Sequence, residues 1–265
     1  MKSKILKLVR KIEKEKGVRV LFLIESGSRG WGWESEDSDY DIRGVFVQDY
    51  LKIEGVKQHI DEISGKFDIV LWDFRKFLSL MIKSNPTVWE WLSSDLIYME
   101  NSIRKELRKI FEDSFSEYAL KKHYTSMARQ NFNKYILHEG TTANLKKYVY
   151  VLRSIACILW IEQNKSPPPK HYRKVIKLFP KNIYDFFEKI VKDKRKSESL
   201  RGRRNSDVDK YIASFFDKGY EKGLGCFNLD ELNKIFKREA KRKNKDLRLS
   251  EKTKKLLGLG RYKLK

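Results

Sequence analysis

Cysteine is scarce. Cys157 and Cys226 are far apart in the 265-residue chain and read as ordinary cytosolic thiols, which leaves no room for a disulfide framework or a thiolate metal site. Long apolar runs are missing as well. The longest, VYVLRSIACILWI, is interrupted by Arg153 and is too short to cross a bilayer. The N-terminus MKSKILKLVRKIEKEKG is basic throughout and lacks a small-residue cleavage site, so it does not read as a signal peptide. These absences predict a cytoplasmic protein without membrane association. No internal repeat is visible, and His123, His138 and His171 show no metal-ligand spacing. Acid is outnumbered: 36 Asp and Glu face 58 Lys and Arg, a formal net charge of +22.

With 40% hydrophobic residues, the chain can bury a core as one large domain or two ordinary ones. The charge is unevenly spread. Residues 1–100 hold 16 Lys+Arg and 17 Asp+Glu, a net of −1, whereas residues 101–265 hold 42 and 19, a net of +23. All the excess basicity therefore belongs to the second part, where it would attract polyanions such as nucleic acid. A lysine-rich solvated surface is the blander account of the same numbers.

Ile5, Leu8, Val9 and Ile12 are spaced as an amphipathic helix that Gly17 ends. VRVLFLIES reads as a buried strand, YDIRGVFVQ as a second and KFDIVLWD as a third. Asp73 can cap a following helix, FRKFLSLMIKS, which stops at Asn85-Pro86, and Pro86 opens another. From about residue 101 the pattern is helical. In TTANLKKYVYVLRSIACILWIEQNK, Thr141 or Thr142 can cap a helix whose apolar stripe is Leu145, Tyr148, Val149, Leu152, Ile155, Ala156 and Leu159. SPPPKHY is a rigid break, KDKRKSESLRGRRNSD a charged connector expected to be mobile, and KREAKRKNKDLRLSEKTKK a basic tail expected to be partly disordered.

The stretch SGSRGWGWESEDSDYDIRGVFV, residues 26–47, crowds three carboxylates into DSDYD. Gly27 permits backbone conformations closed to other residues and close approach of a ligand. Ser26 and Ser28 add hydroxyl donors, and N–H groups ahead of a helix start can cradle an anion. Most Gly-Ser turns, however, are only turns. Asp39 and Asp41 lie two apart at the start of the second strand, which sends both side chains to one face. Neighbouring carboxylates repel unless something positive lies between them, and Mg²⁺ or Mn²⁺ with substrate phosphates would suit. A third acid would complete a two-metal site. Asp68, in the apolar KFDIVL, is preferred to Asp73, which a helix N-cap already explains. The plainer accounts are that Asp68 sits at an exposed strand start and that the whole segment is a polar surface loop.

These residues resemble the signature of the DNA polymerase β-type nucleotidyltransferase superfamily, and within it the RNA-repair-pathway branch. The branch's pattern has GSR-x-W-G in the turn, SD-x-D-x-R after it, and then a segment like WDFRKFLSLMIKSNPTVWEWL; LKKYVYVLRSIA resembles its helical part. The likeness spans residues 20–160. It implies an α+β fold: a small catalytic domain, residues 1–112, with a mixed sheet flanked by helices, followed by a mainly helical, basic substrate-binding domain, residues 113–265. It also implies that Asp39, Asp41 and Asp68 are catalytic and metal-binding, and that Ser26, Gly27, Ser28 and Arg29 meet the nucleotide.

Arg43 is placed to reach a phosphate or to brace an aspartate, and a surface salt bridge would explain it equally. Lys146, Tyr150 and Arg153 share one helical face, with Lys147 beside them. Lys147, Tyr150 and Arg153 are candidates to grip a base and its phosphates, a solvated face being the alternative. Trp89 and Trp91 are expected to anchor the first part on the second, with Asn85 organising the turn. Tyr124, Arg129 and Asn133 are weaker candidates for the cleft.

The resemblance implies transfer of a nucleoside monophosphate from an NTP to an acceptor hydroxyl, with an RNA end as the acceptor and the basic helical part as the grip. Two other readings stay open: nucleotidylation of a protein partner or a small molecule, and a non-catalytic nucleic-acid-binding protein. A basic helical part disfavours a cationic small-molecule substrate, and the intact acid set disfavours an idle scaffold.

Overall fold

Ile5, Val9 and Ile12 line one face of α1 (Lys2–Lys16) and are buried against a sheet. Gly17 stops the helix in a left-handed conformation, φ 63°, its N–H returning to the Glu13 carbonyl. The computed structural model describes residues 1–36, 38–50, 59–138, 140–194 and 200–242. Asp37, part of the acidic run, lies outside them, as do residues 195–199 of the charged connector and residues 243–265 of the basic tail.

β1 (Arg19–Glu25) leads through a short helix, α2 (Gly27–Trp31), to β2 (Ile42–Val47); β3 (Glu62–Gly65) and β4 (Ile69–Asp73) form a hairpin. After α3 (Phe74–Met81) and α4 (Pro86–Leu92) comes β5 (Ile97–Met99), then α5 (Ser102–Ser114). The strands make one mixed sheet in the order β3-β4-β2-β1-β5, with β2 parallel to β4 and the other pairs antiparallel. Six of the seven β1 residues are buried. Val20 and Leu23 face α1, while Leu21, Phe22 and Ile24 face α3, α4 and α5. A strand covered on both sides reads as the unbroken apolar run VRVLFLI.

Asp73 caps α3, accepting from the Arg75 N–H at 2.8 Å, and Gln48 and Tyr50 also donate to this fully buried carboxylate. Asn85 caps α4 with Pro86 in its first turn. The two neighbouring tryptophans part company. The Trp89 indole donates to the Pro168 carbonyl at 2.6 Å and so ties the first part to the second. Trp91 instead packs on Trp72 (4.1 Å between rings) and Phe77, inside the sheet's own core.

The helical part centres on α7 (Leu145–Asn164), flanked by α6 (Glu117–Phe132), α8 (Tyr172–Val175), α9 (Lys181–Lys194) and α10 (Ser206–Ala213). With neighbours on several sides, α7 is buried well beyond the single stripe its apolar spacing predicts: Val151, Arg153, Ser154, Cys157, Ile158 and Ile161 are buried too. Its cap is Asn144, not Thr141 or Thr142, because Thr142–Asn144 form β6, paired antiparallel with β7 (Arg201–Arg203). That ribbon orders the end of the stretch read as a mobile connector.

The last described helix, α11 (Leu229–Lys241), packs against the sheet side. Leu232 and Ile235 join the core under α3 and α5, Phe236 packs on Tyr50 and Phe74, and fully buried Glu239 pairs with Arg19 at 3.2 Å. The chain thus returns to the sheet domain after building the helical one. In the other direction, Trp33 leaves the sheet side and is fully buried among Tyr150, Tyr172 and Phe187 of the helical core. A side chain of that size contributes roughly 3 kcal/mol by leaving water.

Candidate active site

β1 delivers Glu25 to the mouth of the sheet, where the chain turns sharply into α2. Gly27 adopts φ 53°, a left-handed conformation. A Cβ on Gly27 would fall 1.7 Å from Asp41 Oδ2 and 2.5 Å from its Cγ, so the Asp41 carboxylate lies directly against the turn. Two hydrogen bonds fix this contact. The Ser26 N–H donates to the Asp41 carbonyl at 2.8 Å, and the Asp41 N–H donates to Glu25 Oε1 at 2.7 Å.

Asp68 arrives from the β3–β4 turn. The structure places it one residue before β4, not inside an apolar strand. Phe67 and Asp68 both have positive φ, 57° and 45°, an uncommon conformation for non-glycine residues and a costly one for a bulky side chain such as phenylalanine. Asp68 is 54% exposed, so it needs no burial partner, yet it has one. The Arg43 guanidinium donates to Asp41 Oδ1 at 3.0 Å and to Asp68 Oδ2 at 2.8 Å. It also donates to the Asp68 carbonyl. Of the roles open to Arg43, bracing the aspartates is the one present.

Asp41 and Asp68 share a hydrogen bond as well as this guanidinium. Burial, the bond to Asp68 and the nearby Asp68 and Glu25 charges push the Asp41 carboxyl up to about 6, against the pull of Arg43. Burial also works to raise Asp68, but the bonds from Arg43 and Asp41 outweigh it and hold that carboxyl below its usual range. Below about pH 6 the pair therefore holds one proton, mainly on Asp41, and above it both carboxylates are charged.

Asp39 stands apart. It is exposed and precedes β2. Among the described residues, no three His, Cys, Asp or Glu side chains are grouped so as to hold a metal ion as they stand. Arg29 donates from Nε and Nη2 to the Ser38 carbonyl at 3.2 and 2.9 Å and lies 4.3 Å over the Tyr40 ring. It shapes the segment that carries Asp39. Ser26 and Ser28 flank Gly27 and are largely buried.

The model of the RNA repair pathway DNA polymerase beta family matches residues 1–237. The chain belongs to that family.

A protein of Bacillus subtilis, named only as uncharacterized protein YcgL, is 37% identical over 215 residues, covering 78% of this chain and 82% of that one. Proteins named phosphate-binding protein PstS in two strains of Staphylococcus epidermidis are 28% identical over 167 residues. The match covers 61% of this chain but only about half, 48%, of theirs. A crystal structure of a nucleotidyltransferase-like protein from Exiguobacterium sibiricum is 12% identical, covering 94% of this chain and 86% of that one. Its TM-score of 0.33 is below the level at which overall shape argues for kinship. Membership makes the chain a polymerase beta-type nucleotidyltransferase of an RNA repair pathway. No helix among the described residues is long and apolar enough to cross a membrane.

Within this family member the helical candidates separate. Lys147 lies 4.2 Å over the Tyr135 ring and 5.5 Å over Tyr150, and Tyr150 meets Trp31 edge-on at 5.5 Å. Arg153 is not on a solvated face. It is buried, donates to Glu90 Oε1 at 2.7 Å, and stacks 4.6 Å over Trp31. The Trp31 indole donates to the other Glu90 oxygen at 3.1 Å. Tyr124 is fully buried, and Arg129 points to an outer groove.

Three residues of the site's support escape sequence reasoning. Glu25 is buried at the end of an apolar strand. Burial raises its carboxyl, against the opposing bond from Tyr98, whose hydroxyl donates to Oε2. Glu90 sits between two tryptophans in WEW. Lys170, buried in the proline-rich break, donates to the Glu25 carbonyl at 2.8 Å. A Cβ on Gly30 would come within 2.8 Å of the Lys170 amine and 2.9 Å of the Glu25 carbonyl, so this glycine admits the lysine. A charged residue inside an apolar run is the only signal for Glu25 and Glu90.

Proposed function

We propose that the protein transfers a nucleoside monophosphate from an NTP to a hydroxyl at an RNA end, releasing pyrophosphate. One observation supports this reading: the Asp41 carboxylate rests on the Gly27 turn with Asp68 beside it, so the turn and the acid pair meet at one point.

The donor set is all oxygen, and the two acids already converge around a cationic guanidinium. These residues fit a hard divalent cation such as Mg²⁺ or Mn²⁺, which Asp41 and Asp68 would hold together with Asp39. When bound, the ion would offset charge on the phosphates and make the attacking hydroxyl more acidic. The N–H groups of Gly27 and Ser28, at the start of α2, would receive phosphate oxygens, with the Ser26 and Ser28 hydroxyls beside them. Lys147 and Tyr150 would meet the base. Arg29 shapes the segment carrying Asp39. Arg153 acts from behind, by fixing Trp31 at the end of α2.

In the reaction, the acceptor oxygen bonds to the α-phosphorus as the bond to the β-phosphate bridging oxygen breaks. The Asp68 carboxylate, held as an anion, receives the hydroxyl proton. Asp41 and Arg43 keep it oriented, so positioning and electrostatics supply most of the rate.

The test is label transfer from each α-labelled NTP, with Mg²⁺ or Mn²⁺, to RNA, DNA or protein acceptors, beside an Asp39→Ala/Asp41→Ala control. Label on RNA that needs both acids supports the proposal. Label on protein would replace the acceptor, and RNA binding without label would replace the enzyme.

A further inference from the structure

An outer face of the helical domain carries a groove of about 520 Å³ between α6 and the segment following α10. That volume is within the roughly 300–1,000 Å³ of ligand clefts. Its composition is unusual. Three aromatic residues, Tyr118, Phe216 and Tyr220, and three cations, Lys122, Arg129 and Lys218, line it, and among the described residues no carboxylate does. Hydroxyl, amide and glycine groups fill the rest, without one aliphatic side chain.

The cations and rings are interleaved. Lys122 lies 5.7 Å over Tyr118, Arg129 lies 5.3 Å over Phe216, and Lys121 lies 4.9 Å over Tyr220. The wall is also held in place. Arg129 donates to the Phe216 carbonyl, and the Tyr220 hydroxyl and Thr125 Oγ1 are 2.9 Å apart. Two cations have carboxylate partners outside the groove: Lys218 meets Glu162 at 3.0 Å and Arg129 meets Asp217 at 3.5 Å. Asp217 is 99% exposed, so a phosphate can replace it at little cost. Among the described residues, Lys122 has no carboxylate partner.

We propose that this groove binds an unpaired nucleic-acid strand, its bases stacking on Tyr118, Phe216 and Tyr220 and its phosphates meeting Lys122, Arg129 and Lys218. An acidic peptide would satisfy the cations but make no use of the rings that line the groove beside them. A duplex offers phosphates but keeps its base faces stacked away, so only an unpaired strand uses both halves of the groove. The groove deepens the RNA reading above by assigning where the strand is held, and its test needs neither nucleotide nor metal.

Fluorescence anisotropy of the full chain with a labelled single-stranded RNA gives the measurement, with thermal melting as the folding control. Lys122 is exposed, so Lys122→Glu leaves the fold intact. It should weaken binding about tenfold and lower the salt slope by about 0.7. Tyr118→Ala should weaken binding about tenfold while leaving that slope unchanged. Lys181→Glu makes the same charge change on α9, outside the groove, and should cost less than about threefold. Equal losses from Lys122→Glu and Lys181→Glu would overturn the proposal in favour of diffuse charge. So would a duplex bound as tightly as the single strand, or displacement of the strand by polyglutamate. Label transfer that fails while groove-dependent binding persists would count against the enzyme and not against the groove.

Discussion

Two arginine–carboxylate pairings, one at the mouth of the site and one behind it, do opposite work. Arg43 sits at the rim, 18% exposed, between Asp41 and an Asp68 that is 54% exposed. Arg153 and Glu90 are 5% and 9% exposed, closed in by Trp31. At the rim, water competes for every partner, so the arrangement can be rebuilt around an incoming phosphate and cation at small cost. In the interior, each charge depends on the other, and separating them leaves an unpaired ion in a low-dielectric medium. The rim pairing is suited to exchange, whereas the buried one fixes where α2 and α7 meet. Function should therefore be sensitive at the rim, and stability behind it.

Substitutions can break that contrast, beginning with the largest effect. Asp41→Ala should reduce label transfer by roughly a thousandfold while leaving the melting temperature nearly unchanged. Initial rates and a thermal melt on the same sample check both halves. Arg153→Leu should do the reverse at first hand, lowering the urea unfolding free energy by about 3–5 kcal/mol because Glu90 stays buried without its partner. Gly27→Ala sits between the two. Its Cβ would meet Asp41 Oδ2 at 1.7 Å in a left-handed backbone, so transfer should fall about a hundredfold with a stability loss of about 1–3 kcal/mol.

The smallest effect concerns Lys170, which burial lowers to about 8 despite the opposing charge of Glu90. A lysine depressed in the folded state binds fewer protons there than in the unfolded chain across pH 8–10.5, so stability rises with pH in that window. Below pH 8 both states are charged and the slope vanishes. Subtracting the unfolding profile of Lys170→Met isolates this lysine. The wild type should gain on the variant by about 2 kcal/mol between pH 8 and pH 10. A flat difference would mean that the amine is solvated and that Gly30 does not seat it.

What the sequence made legible followed from local rules. The apolar spacing of Ile5, Val9 and Ile12, the stop at Gly17, the cap at Asp73, the helix opened by Pro86 and the run in β1 each need only a few neighbouring residues, and all appear as read. The turn at Gly27 was legible from its motif, whereas the approach of Asp41 to it was not. The rest depended on distant partners. β5, β6 and β7 have three residues each, too few for alternation to register, and exist only through pairing. Arg153 looked solvent-facing because Glu90, its reason for burial, is 63 positions away. The end of α11 looked like part of a basic tail, since Lys234, Lys237, Arg238 and Lys241 outnumber Leu232, Ile235 and Phe236, which join it to the sheet side. Asp68 was identified by type, but its place in the β3–β4 turn rests on hairpin register.

The most direct test of the account is a crystal structure of the protein with a non-hydrolysable NTP and Mn²⁺, using the metal's anomalous signal. The account predicts a manganese peak within bonding distance of Asp41 and Asp68, with the triphosphate on the Gly27–Ser28 turn. A nucleotide bound elsewhere, with no manganese at either carboxylate, would contradict it.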